Sequence, residues 1–492
     1  MHPVLLIDEI LRHIFLFCSY QDRASLVFAA QTCKAWKDPA LDFLWYRLAS
    51  IEPLLPILHG ALSLGEAHNF QSYAHRVRHI AHRLEVKDYL GSPAYSPSTH
   101  LAQVALPNLS TVYLSLPRCP APMMSLYMSP QLQHIEADLG FKFSKSSNEV
   151  AFCDFMEQVF VDCLELKGVN LRGLSSLRLN NIISSMGKLQ NLSLRLGQSL
   201  LPSTLRAIMS FPHLSELEVH AGHVDVDDLE GNYMEVQFPS LCKLRIRAKS
   251  KLVKNILHRI QRDNLRYLHI ELDDLSPSTA LWSSILSLVC DQAASSLLYL
   301  QIEHHFEAPD IPTSSLLDMA NVPQGSTIST MSFDDIHILR VIKNLRHFAC
   351  DVTLPPLFRD KDMADLATWW PDLEHLELGS APQGDEAESR VTGSAQITIA
   401  SLASFATQSP KLEKLILPLR IGDHPLRPPA SHPLVANKLR SLTIAQLTSC
   451  KPLELAEYLR RLFPLLEEFE GPCDDTRIWT DTKASLVKHR IS

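Results

Sequence analysis

One short phrase recurs along this chain, and its spacing limits the available folds more than any other feature. "FPHLSELEVH" (211–220) is nearly repeated 27 residues later as "FPSLCKLRIR" (238–247). Their shared kernel is Leu-x-x-Leu-x-aliphatic. It returns as "LSSLRL" from Leu174, "LQNLSL" from Leu189, "LRYLHI" from Leu265 and "LLYLQI" from Leu297. Further copies are "LEHLEL" from Leu373, "LEKLIL" from Leu412 and "LRSLTI" from Leu439, with degenerate ones at Leu345 and Leu465. The starts at Leu189, Leu214, Leu241 and Leu265 lie 25, 27 and 24 residues apart. Two longer gaps, 48 residues from Leu297 and 39 from Leu373, make the array irregular.

In each copy the fourth and sixth residues alternate with polar neighbours, so they leave one face of a short strand together. Between copies, "KLVKNILHRIQR" (251–262) sets Leu252, Ile256, Leu257 and Ile260 on one helical face. Neither the strand nor the helix can bury its apolar side alone. Stacked on like units they cover one another, as in leucine-rich repeats with their period of roughly 20–29 residues. The predicted fold is an α/β solenoid: an irregular leucine-rich-repeat horseshoe with parallel strands on the concave face, preceded by a small all-α segment. The predicted boundaries are 1–48 for three short helices, 49–100 for a helical linker, 101–472 for the solenoid and 473–492 for a C-terminal cap or tail.

Strand parity also names the side chains expected on the concave face. The candidate substrate contacts are Glu216, Glu218, Lys243, Arg245, Arg247, Tyr267, His269, Tyr299, Glu303 and His375. Aromatics with mixed charge suit protein recognition, although a merely solvated strand face reads the same way. Lys243, Arg245 and Arg247 share one strand, which predicts attraction for an acidic segment of a partner. Three polar or proline-rich stretches, 307–315, 380–395 and 418–433, are predicted as exposed loops because they suit neither helix nor inner strand.

Composition narrows the function. The 492 residues carry a net charge of −8, which argues against non-specific nucleic-acid binding through phosphate neutralisation. Ten scattered cysteines form no C-x-x-C pair, so no metal site is expected, and the thiols read as reduced in an intracellular protein, in cytoplasm or nucleus. The N-terminus lacks a basic leader, and no apolar run approaches the roughly 20 residues that cross a bilayer. Phosphate-loop, dinucleotide, zinc-protease and nucleophile-elbow motifs are all missing. His304 and His305 beside Glu303 would point to opposite faces of a strand, a poor start for a metal cluster. No cofactor and no catalytic activity are expected, although a Cys–His pair that meets only in space stays open.

Residues 3–45 do not carry the repeat. "LIDEILRHIFLFC" sets Leu6, Ile10, Leu11, Ile14 and Phe15 on a wide apolar helix face, "SYQD" comes next, then "RASLVFAAQTCKAW" and "FLWYRL". Forty residues in three helices bury too little to stand alone, so they are expected to dock on a neighbour, with apolar surface left for a partner. The segment resembles an F-box, through "LIDEILRHIF" (6–15), "SYQD" (19–22), "TCKAW" (32–36) and "LW" (44–45). Ile7 stands where that family has proline, and Thr32 where it has valine. "LWYRLASIEPLLPIL" (44–58) and "NFQSYAHRVRHI" (69–80) resemble the linker of fungal F-box proteins. The basic run "YAHRVRHIAHR" reads as a solvated helix face, with nucleic-acid or acidic-lipid contact as the alternative that the acidic whole disfavours.

The resemblance implies a substrate receptor of a Skp–cullin–F-box (SCF) ubiquitin ligase, bound to a Skp-type adaptor and through it to a cullin. By resemblance, adaptor contacts fall at Leu6, Ile7, Ile10, Leu11, Ile14, Phe15, Val27, Cys33 and Trp36, for which internal packing is the competing role. The alternative is a leucine-rich-repeat scaffold or inhibitor outside any ligase, with 1–45 as an end cap; an enzyme using the concave face is a further rival.

Overall fold

In every copy but one the leucine kernel is a parallel β-strand, and within each unit the same apolar position lines up from strand to strand. In the computed structural model the described residues are 7–58, 67–83, 106–119, 121–141, 147–229, 237–274, 281–305, 331–352, 358–379, 397–421, 437–447, 451–471 and 477–488. The chain divides into two units, Met1–Leu214 and Ser215–Ser492.

The first unit starts with helices α1 (Asp8–Gln21), α2 (Arg23–Thr32) and α3 (Lys34–Tyr46). Six strands succeed them in chain order: β1 (Arg47–Leu48), β2 (His79–His82), β3 (Thr111–Ser115), β4 (His134–Gly140), β5 (Gly168–Gly173) and β6 (Asn191–Arg195). Leu48, Ile80, Val112, Ile135, Val169 and Leu192 pair in register across them, and every one is buried. At the far ends of β4 and β5, Gly140 and Gly173 face each other at φ 82° and 114°. A Cβ on Gly173 would strike the backbone of Gly140, so glycine is required by both conformation and space.

Among the described residues, the second unit holds nine strands: β7 (Glu216–His220), β8 (Lys243–Ala248), β9 (Tyr267–Leu272), β10 (Tyr299–His304), β11 (His347–Val352), β12 (His375–Leu378), β13 (Lys414–Ile421), β14 (Ser441–Leu447) and β15 (Glu468–Glu470). Leu217, Leu244, Leu268, Leu300, Phe348, Leu376, Leu415, Leu442 and Phe469 form one unbroken row. All nine are buried. The intervening helices close over this side of the strands: Leu252, Val253, Ile256 and Leu257 of Ser250–Arg259 are buried, as are Leu281, Trp282, Ile285, Leu286, Leu288 and Val289 of Leu281–Ala293. Each unit is therefore an open stack of strand–helix repeats with a dry inner side.

Polar ties seal the helix ends between repeats. Asn180 is buried, and its Nδ2 donates to Ser175 Oγ (2.8 Å), Ser176 O (2.9 Å) and Ser199 O (3.0 Å). Its Oδ1 accepts from Leu201 N (3.1 Å) and Thr204 Oγ1 (3.0 Å). In the second unit the Asp360 carboxylate accepts from Thr398 N and Thr398 Oγ1, each at 2.7 Å, and from Ser401 Oγ. Such satisfaction is what lets polar groups remain in a dry stack.

Four expectations change. The stack starts before residue 101, because β1 and β2 lie in or beside the stretch expected to be a helical linker. "LSSLRL" is not a strand: Ser176 caps helix Leu177–Ser185, accepting from Leu179 N, and the strand of that repeat is "GVNLRG". The basic run at 73–83 is only partly helical, since helix Ala67–Ala74 ends there and β2 begins at His79. Pro418 sits inside β13, where the register to β14 shifts between Leu417 and Arg420; that bulge accommodates a residue with no N–H to donate. Leu419 and Ile421 continue that strand and are buried, so 418–421 is not the loop expected; residues 422–433, like 307–315 and 380–395, lie outside the described residues.

Removing one rung should be costly. Leu244 is fully buried, so Leu244→Ala is expected to destabilise by about 2–5 kcal/mol through lost burial plus the cavity left behind. Chemical denaturation followed by circular dichroism measures it.

Candidate partner-binding surfaces

Two surfaces carry the residues that the sequence singled out: the helical head and the open face of the strands. The head has its own small core. Leu11, Phe15, Leu26 and Ala40 form it, with Cys18, Ala29, Ala30, Trp36, Phe43 and Leu44 packed around them. Asp22 caps α2, accepting from Ala24 N (3.0 Å) and Ser25 Oγ (2.7 Å), and these bonds hold its carboxyl below the usual range.

Helical spacing separates two stripes on α1. Ile10, Ile14 and Phe17 fall within an arc of about 60°, at about 100° per residue. They are 36%, 40% and 59% exposed, against 2% for Leu11 and 4% for Phe15. Ile7, just before the helix, and Val27 and Phe28 on α2 are exposed as well. Of the expected adaptor contacts, then, Ile7, Ile10, Ile14 and Val27 are available to a partner. Leu11 and Phe15 are not, because they are the core that holds the three helices together. Trp36 is half-buried and meets Phe15 edge-on, with ring centroids 5.9 Å apart. Cys33 is half-buried at the start of α3, and Leu6 lies outside the described residues. Phe17 and Phe28 were missed by resemblance, although Phe17 continues the three- and four-residue spacing of Ile10 and Ile14.

The head is docked on the segment that leads into β2. Arg76 reaches back to α3, with Nη2 2.7 Å from Asp38 Oδ1, Nη1 bonded to Asp42, and a further bond to the Asp38 carbonyl at 3.1 Å. Arg12 of α1 meets the same Asp42 at 2.9 Å. Trp45 packs on Tyr73 at 4.8 Å, and Arg78 N donates to Tyr46 O at 3.0 Å. The basic run thus serves internal contacts: Arg78 bonds Asn108 O, Arg83 lies over the Tyr113 ring, and buried His82 meets Tyr127 Oη at 2.6 Å.

On the second unit, strand register sorts the open face into rows. One row runs Glu216, Lys243, Tyr267, Tyr299, His347, His375 and Lys414; the next runs Glu218, Arg245, His269, Gln301, Ala349 and Glu377. His220, Arg247, Glu271, Glu303 and Asp351 make the third. Lys243, Arg245 and Arg247 do share one face, yet the strip is neutralised where it lies. Lys243 Nζ is 3.3 Å from Glu216, Arg245 is 3.5 Å from Glu218, and Arg247 meets Glu271 at 3.1 Å and Asp273 at 2.8 Å. The attraction for an acidic partner that the sequence suggested is spent on neighbouring strands.

The first row becomes a column of stacked rings. Tyr267 and Tyr299 stack at 4.1 Å and Tyr299 and His347 at 3.9 Å, His375 follows tilted by 46° with its centroid 4.1 Å from that of His347, and Lys243 Nζ lies 5.3 Å over the Tyr267 ring. Parallel strands about 4.8 Å apart bring identical positions to stacking distance, so the register builds the column. Beside it, Tyr299 Oη donates to Gln301 Oε1 and Gln301 Nε2 to Glu303 Oε1, both at 2.6 Å. Histidines meet carboxylates at His269–Glu303 (2.8 Å), His305–Asp351 (3.5 Å) and His375–Glu377 (3.5 Å). The contact from His269 holds the Glu303 carboxyl below the usual range, and that from His375 does the same for Glu377.

His304 points to the other face from His305, as strand alternation requires. It is buried, with Nε2 2.9 Å from Asp274 O. Among the described residues, no group of three or more His, Cys, Asp or Glu is placed to hold a metal ion, and none of the helices is long and apolar enough to cross a membrane.

The ring column has a titration signature. Burial, reinforced by neighbouring His375, lowers the His347 pKa to about 4 from its ordinary 6.5. The unfolded chain takes up this proton below about 6.5, while the folded chain refuses it until about 4. The contribution to stability is therefore fully present above about 6.5 and lost as pH falls toward about 4. His347→Phe keeps a stacking ring without the proton, so its stability should fall less steeply across that window, as denaturation series at several pH values would show.

Residues 8–50 match the F-box-like family. Among solved structures, a leucine-rich-repeat protein of Leptospira interrogans is similar to 83% of this chain over 98% of its own length, at 12% identity and a TM-score of 0.33. No curated protein matches the sequence. The chain carries an F-box-like helical segment followed by parallel strand–helix repeats.

Proposed function

We propose that this protein is a non-catalytic substrate-recognition subunit of an SCF ubiquitin ligase. In this reading α1 and α2 grip a Skp-type adaptor, the adaptor joins a cullin, and the open strand face holds a protein destined for ubiquitin-dependent degradation, within cytoplasm or nucleus. The observation that carries it is the outward apolar stripe of the F-box-like segment: Ile7, Ile10, Ile14, Phe17, Val27 and Phe28 are exposed on a head whose core is already complete. A head acting only as an end cap has no use for such a surface, which water disfavours.

Adaptor capture tests it. The Ile10→Asp, Ile14→Asp variant should retain the wild-type melting curve, because both side chains are exposed, and should lose at least about tenfold in capture of a purified Skp-type adaptor. Equal capture by variant and wild type would mean that the stripe serves another purpose. Leu11→Asp provides the contrast: it buries a charge in the head core and should unfold the three helices.

A further inference from the structure

The sequence pointed to an acidic partner, whereas charge placement on the open face points the other way. Once Lys243, Arg245 and Arg247 have met their carboxylates, the outward positions of β9 to β12 hold no Lys or Arg among the described residues. They do hold acids. Glu271 and Asp273 share Arg247, which leaves one negative charge over. Glu303, Asp351 and Glu377, one on each of three successive strands, meet imidazoles, and Glu377 also lies in the field of Lys414 on β13. An imidazole can donate a hydrogen bond to a carboxylate without cancelling its charge.

Next to these acids runs the ring column, half-buried. Long aliphatic stems that carry a cationic head cover such a surface well. The two features are independent products of one register: the rings occupy the first row, and the acids the second and third. Together they match a chain segment with charged ends and apolar stems.

We propose that the face between β9 and β12 receives a basic, Lys- and Arg-bearing segment of a protein, its cationic heads taken by Glu303, Asp351 and Glu377 and its stems laid along the Tyr267–Tyr299–His347–His375 column. This rests on the reading of the open face as the substrate site, and it names the class of substrate.

The test uses the full chain and a fluorescein-labelled decapeptide alternating Arg and Ser, with a Glu–Ser decapeptide as its counterpart. Anisotropy is read at about 50 mM salt, because binding of this kind weakens as salt screens it. The basic peptide should bind and the acidic one should not. The triple variant Glu303→Gln, Asp351→Asn, Glu377→Gln should weaken binding about tenfold or more. Glu468→Gln with Glu470→Gln, on β15 of the same sheet, should leave it unchanged. If the triple variant melts early, Asp351→Asn alone must still weaken binding by about two- to threefold.

Wild-type affinity in the triple variant, an equal loss in the β15 variant, or equal binding of the acidic peptide would each overturn the proposal. Adaptor capture run in parallel separates the two readings. Intact capture with no peptide effect removes the basic-partner proposal alone, whereas lost capture with peptide binding retained removes the ligase reading alone.

Discussion

Register between parallel strands is the constraint on which everything else in each unit depends. One apolar position per strand must meet the same position on the next, because a slip of one residue would turn the whole buried row outward. Leu217 through Phe469 hold that alignment across nine strands, and Leu48 through Leu192 hold it across six. Each fully buried leucine contributes about 2 kcal/mol of transfer free energy, and no repeat keeps its own dry without a neighbour. Stability is thus a property of adjacent pairs of repeats. The same alignment assembles the outward rows, so the surface offered to a partner is a by-product of how the core is kept dry.

The second unit was largely legible because its strands spell the kernel with leucine. Leu214, Leu241, Leu265 and Leu297 each sit three residues before a buried leucine, and every one of those copies is a strand. The first unit was harder to read, since Ile80, Val112, Ile135 and Val169 fill the position that leucine fills later. A pattern that demanded leucine passed over them, although β-branched residues suit strands at least as well. "LSSLRL" misled for the opposite reason: its spelling is right, but Ser176 can cap a helix, and that local bond competes with the strand. Phe238 adds a subtler case. It opens a repeat as Phe211 does, yet its backbone is held at φ 55°, a strained region for a bulky residue that here accompanies a fully buried ring.

For the binding surfaces, parity placed the outward residues correctly, but it could not rank them. Which polar side chain meets which depends on residues from strands some thirty residues apart in sequence, such as His269 and Glu303. Strand spacing was implicit in the repeats, and the ring column is its consequence, but His347 lay in a degenerate copy and went unnoticed. On the head, apolar spacing identified α1 without separating its two stripes. Leu11 and Ile10 are chemically alike, and only the positions of α2 and α3 decide that one is core and the other surface.

The passage from head to stack has almost no slack. α3 ends at Tyr46 and β1 begins at Arg47, while Tyr46 O is already bonded to Arg78 N and Arg76 clasps Asp38 and Asp42. A helix that runs straight into a strand behaves as a bracket and not as a tether. Any protein that clamps α1 therefore inherits the heading of β1, and the first rungs are presented to it at one angle held by the Tyr46–Arg78 bond and the Arg76 ion pairs.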